Sequence, residues 1–291
     1  MATVTAPVAA PLGSQIGRSA AQASRSAFVA LLYRDLAVLK KNLREFIPRT
    51  LIQPFLLVFI FLYVFPKIGQ GVGGGRAGGE SAFATILVAG VVGLSILFQG
   101  IQSVALPMVQ EFGYTKEIED RVLAPLPVSL VAMGKVVAGA LQGLFAACVV
   151  FPIAAFVHAN GVVPHLTVHW PILLTMVPLA CVATASLGLT FGTKFDPRQV
   201  PALFALIILP ITFLGGTYYA WTTLHPVQVG GVPWLQILVT LNPLIYITEG
   251  FRAALTTAPH MHLYVIYPVL GAFTALFLRL GIVNFRKRVL S

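Results

Sequence analysis

The sequence predicts an all-α membrane protein with six transmembrane helices. Only 10% of its residues are charged and 57% are hydrophobic, whereas a soluble domain carries about 25% charged residues. Six segments (49–68, 83–109, 130–157, 170–191, 200–220 and 263–283) are apolar and long enough to span, since a spanning helix needs about 20 such residues. The basic residues then choose an orientation. With the N-terminus in the cytoplasm, 16 of the 19 Lys and Arg fall in cytoplasmic segments or at their membrane edges, leaving Lys67, Arg76 and Arg252 outside. The opposite orientation breaks the positive-inside rule.

The net charge of +10 is therefore a topology signal rather than a nucleic-acid surface. Arg18, Arg25, Arg34, Lys40, Lys41, Arg44 and Arg49 precede the first span, and Arg279, Arg286, Lys287 and Arg288 close the last. Such clusters suit anionic membrane lipids, and no nucleic-acid partner is expected. The connections are short, so one membrane domain (28–291) is expected behind a disordered cytoplasmic tail (1–27) that lacks the apolar run of a signal peptide. Cys148 and Cys181 both lie inside spans and read as small packing residues.

Residues 28–47 form an amphipathic interfacial helix. At about 100° per residue, Phe28, Leu31, Leu32, Leu36, Leu39, Leu43, Phe46 and Ile47 share one arc, opposite Arg34, Lys40, Lys41, Arg44 and Glu45. Asp35 lies within the apolar arc, where it either meets a protein partner or sits at the stripe's edge. Pro48 is expected to end this helix. The glycine-rich stretch after span one (GQGVGGGRAGGESA) reads as a flexible outer linker. Span two holds Gln99, Gln102 and Ser103, and span three holds Gln142. Amides in lipid are costly and should face protein or water. Interhelical hydrogen bonding and the lining of a substrate path both satisfy that demand. Gly139 and Gly143 have a close-packing spacing. The inner connection TKFDPRQ is tight, and span five ends in the interfacial aromatics Tyr218, Tyr219 and Trp221.

Two connections differ from ordinary loops. The inner stretch 110–129 holds four of the nine acids, Glu111, Glu117, Glu119 and Asp120, together with Lys116 and Arg121. A short helix from Thr115, its N-cap, to Leu123 would pair Lys116 with Asp120 and Glu117 with Arg121 at i,i+4, and Pro125 and Pro127 would stop it. It is either a lever for another protein or a solvated turn. The outer stretch 232–258 is largely apolar, yet counting it as a span would put the C-terminal basic cluster outside. A re-entrant helical hairpin, broken at Pro243, reconciles pattern and charge. Within it Glu249 and Arg252 are three apart and can pair on one face. Charges at that depth are also functional candidates.

Other chemistry finds little support. The histidines (His158, His165, His169, His225, His260, His262) all fall on the expected outer side, with only Glu80 and Glu249 as outer carboxylates, so no metal site is expected. No catalytic arrangement stands out. No phosphate-binding G-x-x-x-x-G-K-S/T run occurs; the nearest approach, GLTFGTK from Gly188, has the wrong spacing. A secondary, ion-coupled carrier or channel is the alternative class, but it would ordinarily place an acid in the core of a span.

From Phe28 to Arg288 the chain resembles the membrane (permease) subunits of type-2 ATP-binding-cassette transporters, chiefly bacterial exporters. The resemblance rests on the interfacial helix, the acidic inner stretch ending in LAPLPVS, and the outer LNPLIYITEGFR, which carries Asn242, Pro243, Leu244, Tyr246 and Arg252. Gly113 and Tyr114 depart from the more charged approach usual in the family. The resemblance implies two permease copies, or this chain and a close homologue, around a path through the inner (plasma) membrane. It implies two cytoplasmic ATPase subunits beneath them, which would hold ATP and Mg²⁺, with no cofactor on this chain. It assigns Glu111, Lys116, Glu117, Glu119, Asp120 and Arg121 to coupling with the ATPase. The cargo it implies is hydrophobic or amphipathic: a drug, a lipid or a glycan-lipid.

Overall fold

A computed structural model describes residues 20–70, 79–115, 127–157, 162–195 and 200–290. The described residues form helices joined by turns and irregular segments such as 162–169, with one isolated bridge between Val229 and Val232. In chain order the helices are α1 (Ala20–Lys41), α2 (Leu43–Lys67), α3 (Gly79–Gln110), α4 (Val128–Phe156), α5 (Trp170–Lys194), α6 (Val200–Phe213), α7 (Trp234–Val239), α8 (Pro243–Leu255) and α9 (Leu263–Leu290). Five of them, α2, α3, α4, α5 and α9, are long and apolar enough to cross a membrane.

The helix expected at 28–47 is already formed at Ala20, the first described residue, and it stops at Lys41 rather than at Pro48. The break falls at Asn42, whose carbonyl accepts the first bonds of α2 from Glu45 N and Phe46 N. Pro48 lies inside α2. It withholds one bond, from the Arg44 carbonyl, and one missing bond near a helix start does not reverse a chain direction. Farther along, Pro54 and Pro66 withhold two more donors, and the stretch between them relaxes into a π-helical turn, Phe59–Val64.

The fifth expected span is shorter than its apolar run. α6 ends at Phe213, which makes its 14 residues about 21 Å long at 1.5 Å per residue, against a hydrocarbon core of about 30 Å. Leu214–Ala220 is unwound, with Gly216 at φ +69°, a conformation that side chains disfavour. The outer stretch forms two short helices, α7 and α8, separated at Thr240–Asn242, and neither is long enough to span.

α3 is the axis of the bundle. In its most apolar window 72% of residues are buried, against 17% in α2 and 22% in α9, so α2 and α9 are peripheral. α3 packs on α4 and α5, α9 lies along α5, and α8 wedges between α3 and α5. The main core gathers Ile96, Leu97, Ile101, Met176, Leu187, Leu244 and Phe251. A second cluster, including Val104, Met108, Val136, Leu189 and Phe285, takes in Phe28 and Leu31 of α1. The Phe112 and Phe285 rings meet edge to face, 5.7 Å apart. α1, the end of α3 and the end of α9 therefore share one face of the bundle, here called the terminal face.

Small residues set the closest approach. Of the expected pair, Gly139 is tight against Val104 and Ser103, whereas Gly143 has ordinary contact with Cys181. A further seam uses Gly188, the start of the run excluded above as a phosphate loop. A Cβ there would stand 2.8 Å from the Ile101 carbonyl oxygen and 2.9 Å from its Cα, both backbone atoms that cannot yield. Gly188→Ala should lower the thermal midpoint of the detergent-extracted protein, at a cost of about 1–3 kcal/mol. Gly271→Ala, where a Cβ meets nothing within 4 Å, should leave the midpoint unchanged.

Candidate functional site: a buried ion pair, a charged node and a polar furrow

The residues of the Asn242–Arg252 motif converge on one clamp. α8 presents Glu249 and Arg252 one turn apart, and both side chains are 0% exposed. They bond each other directly through Arg252 Nη1 and Glu249 Oε1. Each then serves backbone that no helix satisfies. Glu249 Oε1 accepts from Trp221 N at 2.7 Å and Oε2 accepts from Met261 N at 2.7 Å. Arg252 Nη2 donates to the carbonyls of Gly216 at 2.8 Å and Tyr219 at 3.2 Å. The Thr248 hydroxyl donates to Gly215 O at 2.7 Å. Unpaired carbonyls in an apolar interior cost several kcal/mol each, and α8 supplies the donors that the unwound stretch after α6 needs.

Asn242 and Tyr246 complete the clamp. Asn242 Oδ1 caps α8 by accepting from Leu244 N at 2.9 Å, while its Nδ2 donates to Ile211 O of α6 at 2.7 Å. One side chain thus joins the start of α8 to the end of α6. Pro243 comes next, at the first helical position, where its missing N–H costs nothing. The Tyr246 hydroxyl donates to Thr240 O at 2.9 Å, closing the turn between α7 and α8. The unwound stretch reaches α3 at Gly90, where a Cβ would meet Thr217 O at 2.3 Å.

A second charged group lies at the terminal face. Lys135, eight residues into the apolar α4, donates to Glu111 Oε1 at 2.6 Å, and Asp35 of α1 stands 3.9 Å from the same ammonium. Lys135 and Glu111 are both buried, so each neutralises a charge that would be costly alone in an apolar setting. Glu111 belongs to the π-helical turn Glu111–Thr115 that continues α3; Thr115, the expected N-cap, is the last described residue of this stretch. The short acidic helix itself, with Lys116, Glu117, Glu119, Asp120 and Arg121, lies outside the described residues. So do much of the glycine-rich linker, the tail before Ala20, His158, and Asp196 and Arg198 of the TKFDPRQ connection.

Arg288 ties the same face together. Its Nη1 donates to Phe195 O at 2.9 Å, with Gly192 O and Thr193 O at 3.4 Å, capping α5. The guanidinium also lies 4.7 Å from the Phe112 ring centre. Neither Lys135 nor Arg288 stands out by charge counting, which treats both as topology signals. Lys135 carries a readable cue all the same: a lone cation inside an apolar helix demands a partner. Asp35, the exception in the apolar arc of α1, carries the complementary cue.

The three span amides, for which the sequence leaves interhelical bonding and path lining both open, converge. Gln99, Gln102 and Gln142 border one cavity of about 340 Å³, together with Asp35, Glu45, Arg49, Ser103 and Gln110. Arg49 Nη2 donates to Gln102 Oε1 at 3.1 Å, and the Thr50 hydroxyl to Gln99 Oε1 at 3.1 Å. Gln99 and Gln102 thus make interhelical hydrogen bonds and border open space at the same time.

The ABC-2 type transporter family description matches residues 26–256, from α1 through the end of α8. The chain belongs to this family. It is also 27% identical over 201 residues to the inner membrane transport permease YadH of Escherichia coli strain K12, covering 67% of this chain and 72% of the relative. The permease of the same name in Shigella flexneri matches to the same extent. The protein is accordingly a multi-pass inner-membrane subunit of an ABC transporter, and its family works with an ATPase partner.

The clamp predicts a non-additive pair. Arg252→Met strands the Glu249 carboxylate and should cost about 3–5 kcal/mol, read as a fall in denaturation midpoint and in folded yield. The double variant Glu249→Gln/Arg252→Met should lose measurably less than the sum of the two single changes. Additive losses would show that the two side chains act independently.

Proposed function

We propose that this chain is the permease of an ATP-driven exporter, working with two copies of a separate cytoplasmic ABC ATPase and with a second permease copy or close homologue. The observation that carries the proposal is the family membership joined to the one-sided placement of charge. In this reading both termini are cytoplasmic, so the terminal face looks toward the ATPase. α6 makes up the sixth crossing together with the unwound stretch behind it, and α7 and α8 form a hairpin that re-enters from the outside. α2 and α6 carry outward apolar residues such as Ile52, Leu56, Leu206 and Leu209, suited to lipid and to the second copy. Hydrophobic or amphipathic cargo (drug, lipid or glycan-lipid) would move by alternating access.

Coupling would run through residues 110–129. Lys116, Glu117, Glu119, Asp120 and Arg121 would meet the ATPase. Glu111, buried against Lys135, would pass their movement into α4 and, through Asp35, into α1. A buried ion pair resists separation, because either charge left alone bears the full desolvation cost, so the three helices would move as one block.

Co-expressed with its cognate ATPase, the permease should co-purify and show ATPase activity. Glu117→Lys/Glu119→Lys should cut co-purification or stimulated ATPase activity several-fold while membrane insertion stays intact; undiminished coupling would remove the lever assignment. Orientation has its own check. With Cys148 and Cys181 replaced by Ala, a cysteine at Gly74 should react with an impermeant external reagent in intact cells, and one at Ser129 should not.

A further inference from the structure

The cavity at the terminal face is one end of a furrow built from two facing polar stripes. On α2 and the residue before it, Asn42, Glu45, Arg49 and Gln53 recur at helical spacing; on α3, Gln99, Gln102, Ser103 and Gln110 do the same. The helices run antiparallel, so the stripes meet along their length and bond at Arg49–Gln102 and Thr50–Gln99. From Gln110 to Gln99 the furrow runs about 16 Å at 1.5 Å per residue, which is about half of a hydrocarbon core. Spending so many polar groups on two apolar helices is expensive unless something polar enters.

The hydrogen bonds decide what can enter. Arginine only donates, so Gln102 must accept through its oxygen and turn its NH₂ group away from Arg49. Gln102 therefore keeps its NH₂ donors for other partners, beside the further N–H groups of Arg49. The Thr50 hydroxyl bonded to Gln99 can donate or accept, so Gln99 contributes an amide of either sense, and Gln142 adds another amide from α4. Two carboxylates, Asp35 and Glu45, line the same cavity. Asp35 faces Arg34 at 3.6 Å and Lys135 at 3.9 Å. Glu45 stands one turn before Arg49 on α2. The smaller adjoining space of about 30 Å³, bordered by Arg49, Thr50, Gln53, Gln99 and Gln102, has Arg49 as its cation and no acid.

We propose that the Arg49–Gln102–Gln99 wall binds a phosphate-type anion, held by charge-assisted hydrogen bonds from the guanidinium and by the two amides. A cavity of about 340 Å³ takes a headgroup rather than a whole lipid. The flank of α2 beside it exposes Ile52, Phe55 and Leu56, along which an acyl chain can lie. The shared chemistry is the phosphate, lipid-borne or free. Placing the site in the inner leaflet rests on the transporter reading above, whereas the anion selectivity does not.

The test is native mass spectrometry of the permease with its ATPase, released from phosphatidylcholine nanodiscs doped with a minor fraction of phosphatidic acid or of dioleoylglycerol. Phosphatidic acid should be retained about tenfold or more over dioleoylglycerol, the order expected for lost charge-assisted bonds. Arg49→Gln, which removes the cation, should abolish that preference, and Gln99→Leu/Gln102→Leu should weaken it. Equal retention of the two lipids, or a preference untouched in Arg49→Gln protein that still co-purifies with the ATPase, overturns the proposal. With the preference established, displacement by added inorganic phosphate assigns the site to the free anion, and resistance assigns it to the lipid headgroup. Anion selectivity in a permease that never assembles with an ATPase would overturn the transporter reading and leave the furrow standing.

Discussion

The fold depends on one fully buried ion pair. Glu249 and Arg252 sit where neither charge could exist alone, yet together they neutralise each other and still bond two amides and two carbonyls. Those four backbone groups belong to the segments on either side of α7 and α8. Without the pair, the unwound stretch after α6 would carry unsatisfied carbonyls into an apolar interior, a cost that drives chains back into regular helix. The pair therefore permits an irregular segment beside α3, and Gly90 gives that segment room. α6 can be short because side chains of α8, rather than a continuing helical ladder, hold Leu214–Ala220.

The terminal face solves a related problem with different chemistry. Lys135, Glu111 and Asp35 come from α4, the end of α3 and α1. Arg288 from α9 caps α5 nearby and covers Phe112. Charge in this region joins five helices. Ion pairs and a helix cap add directional attachment to the apolar cluster of Val104, Met108, Leu189 and Phe285 with Phe28 and Leu31 of α1.

Much of this architecture is legible in the sequence. Five spans overlap the apolar runs, because a helix buried in lipid has no alternative way to satisfy its backbone. The candidate residues Asn242, Tyr246, Glu249 and Arg252 act together, and the pairing expected from their i,i+3 spacing is present. Two boundaries differ from expectation for identifiable reasons. Proline is a strong helix breaker in a helix interior, but Pro48 near a helix start withholds a single bond, and Asn42 breaks the chain instead. Hydropathy extends the fifth span to Ala220, because apolar composition cannot register that Leu214–Ala220 bonds to α8 rather than to itself. The glycine at position 188 reads as a weak phosphate-loop match in one dimension and as a packing seam only when α3 is beside it.

Composition, apolar length and charge bias are one-dimensional quantities, and they suffice for the class, an all-helical membrane protein, and for five of the six expected spans. Which polar groups answer one another is a property of the packed bundle. Lys135 with Glu111, Arg252 with the Gly216 carbonyl, and Arg49 with Gln102 are separated by 24, 36 and 53 residues. No local spacing rule connects such positions. The pairing comes from which helix faces the bundle turns together, and in a low-dielectric interior each polar group must bond to whatever that packing brings within reach.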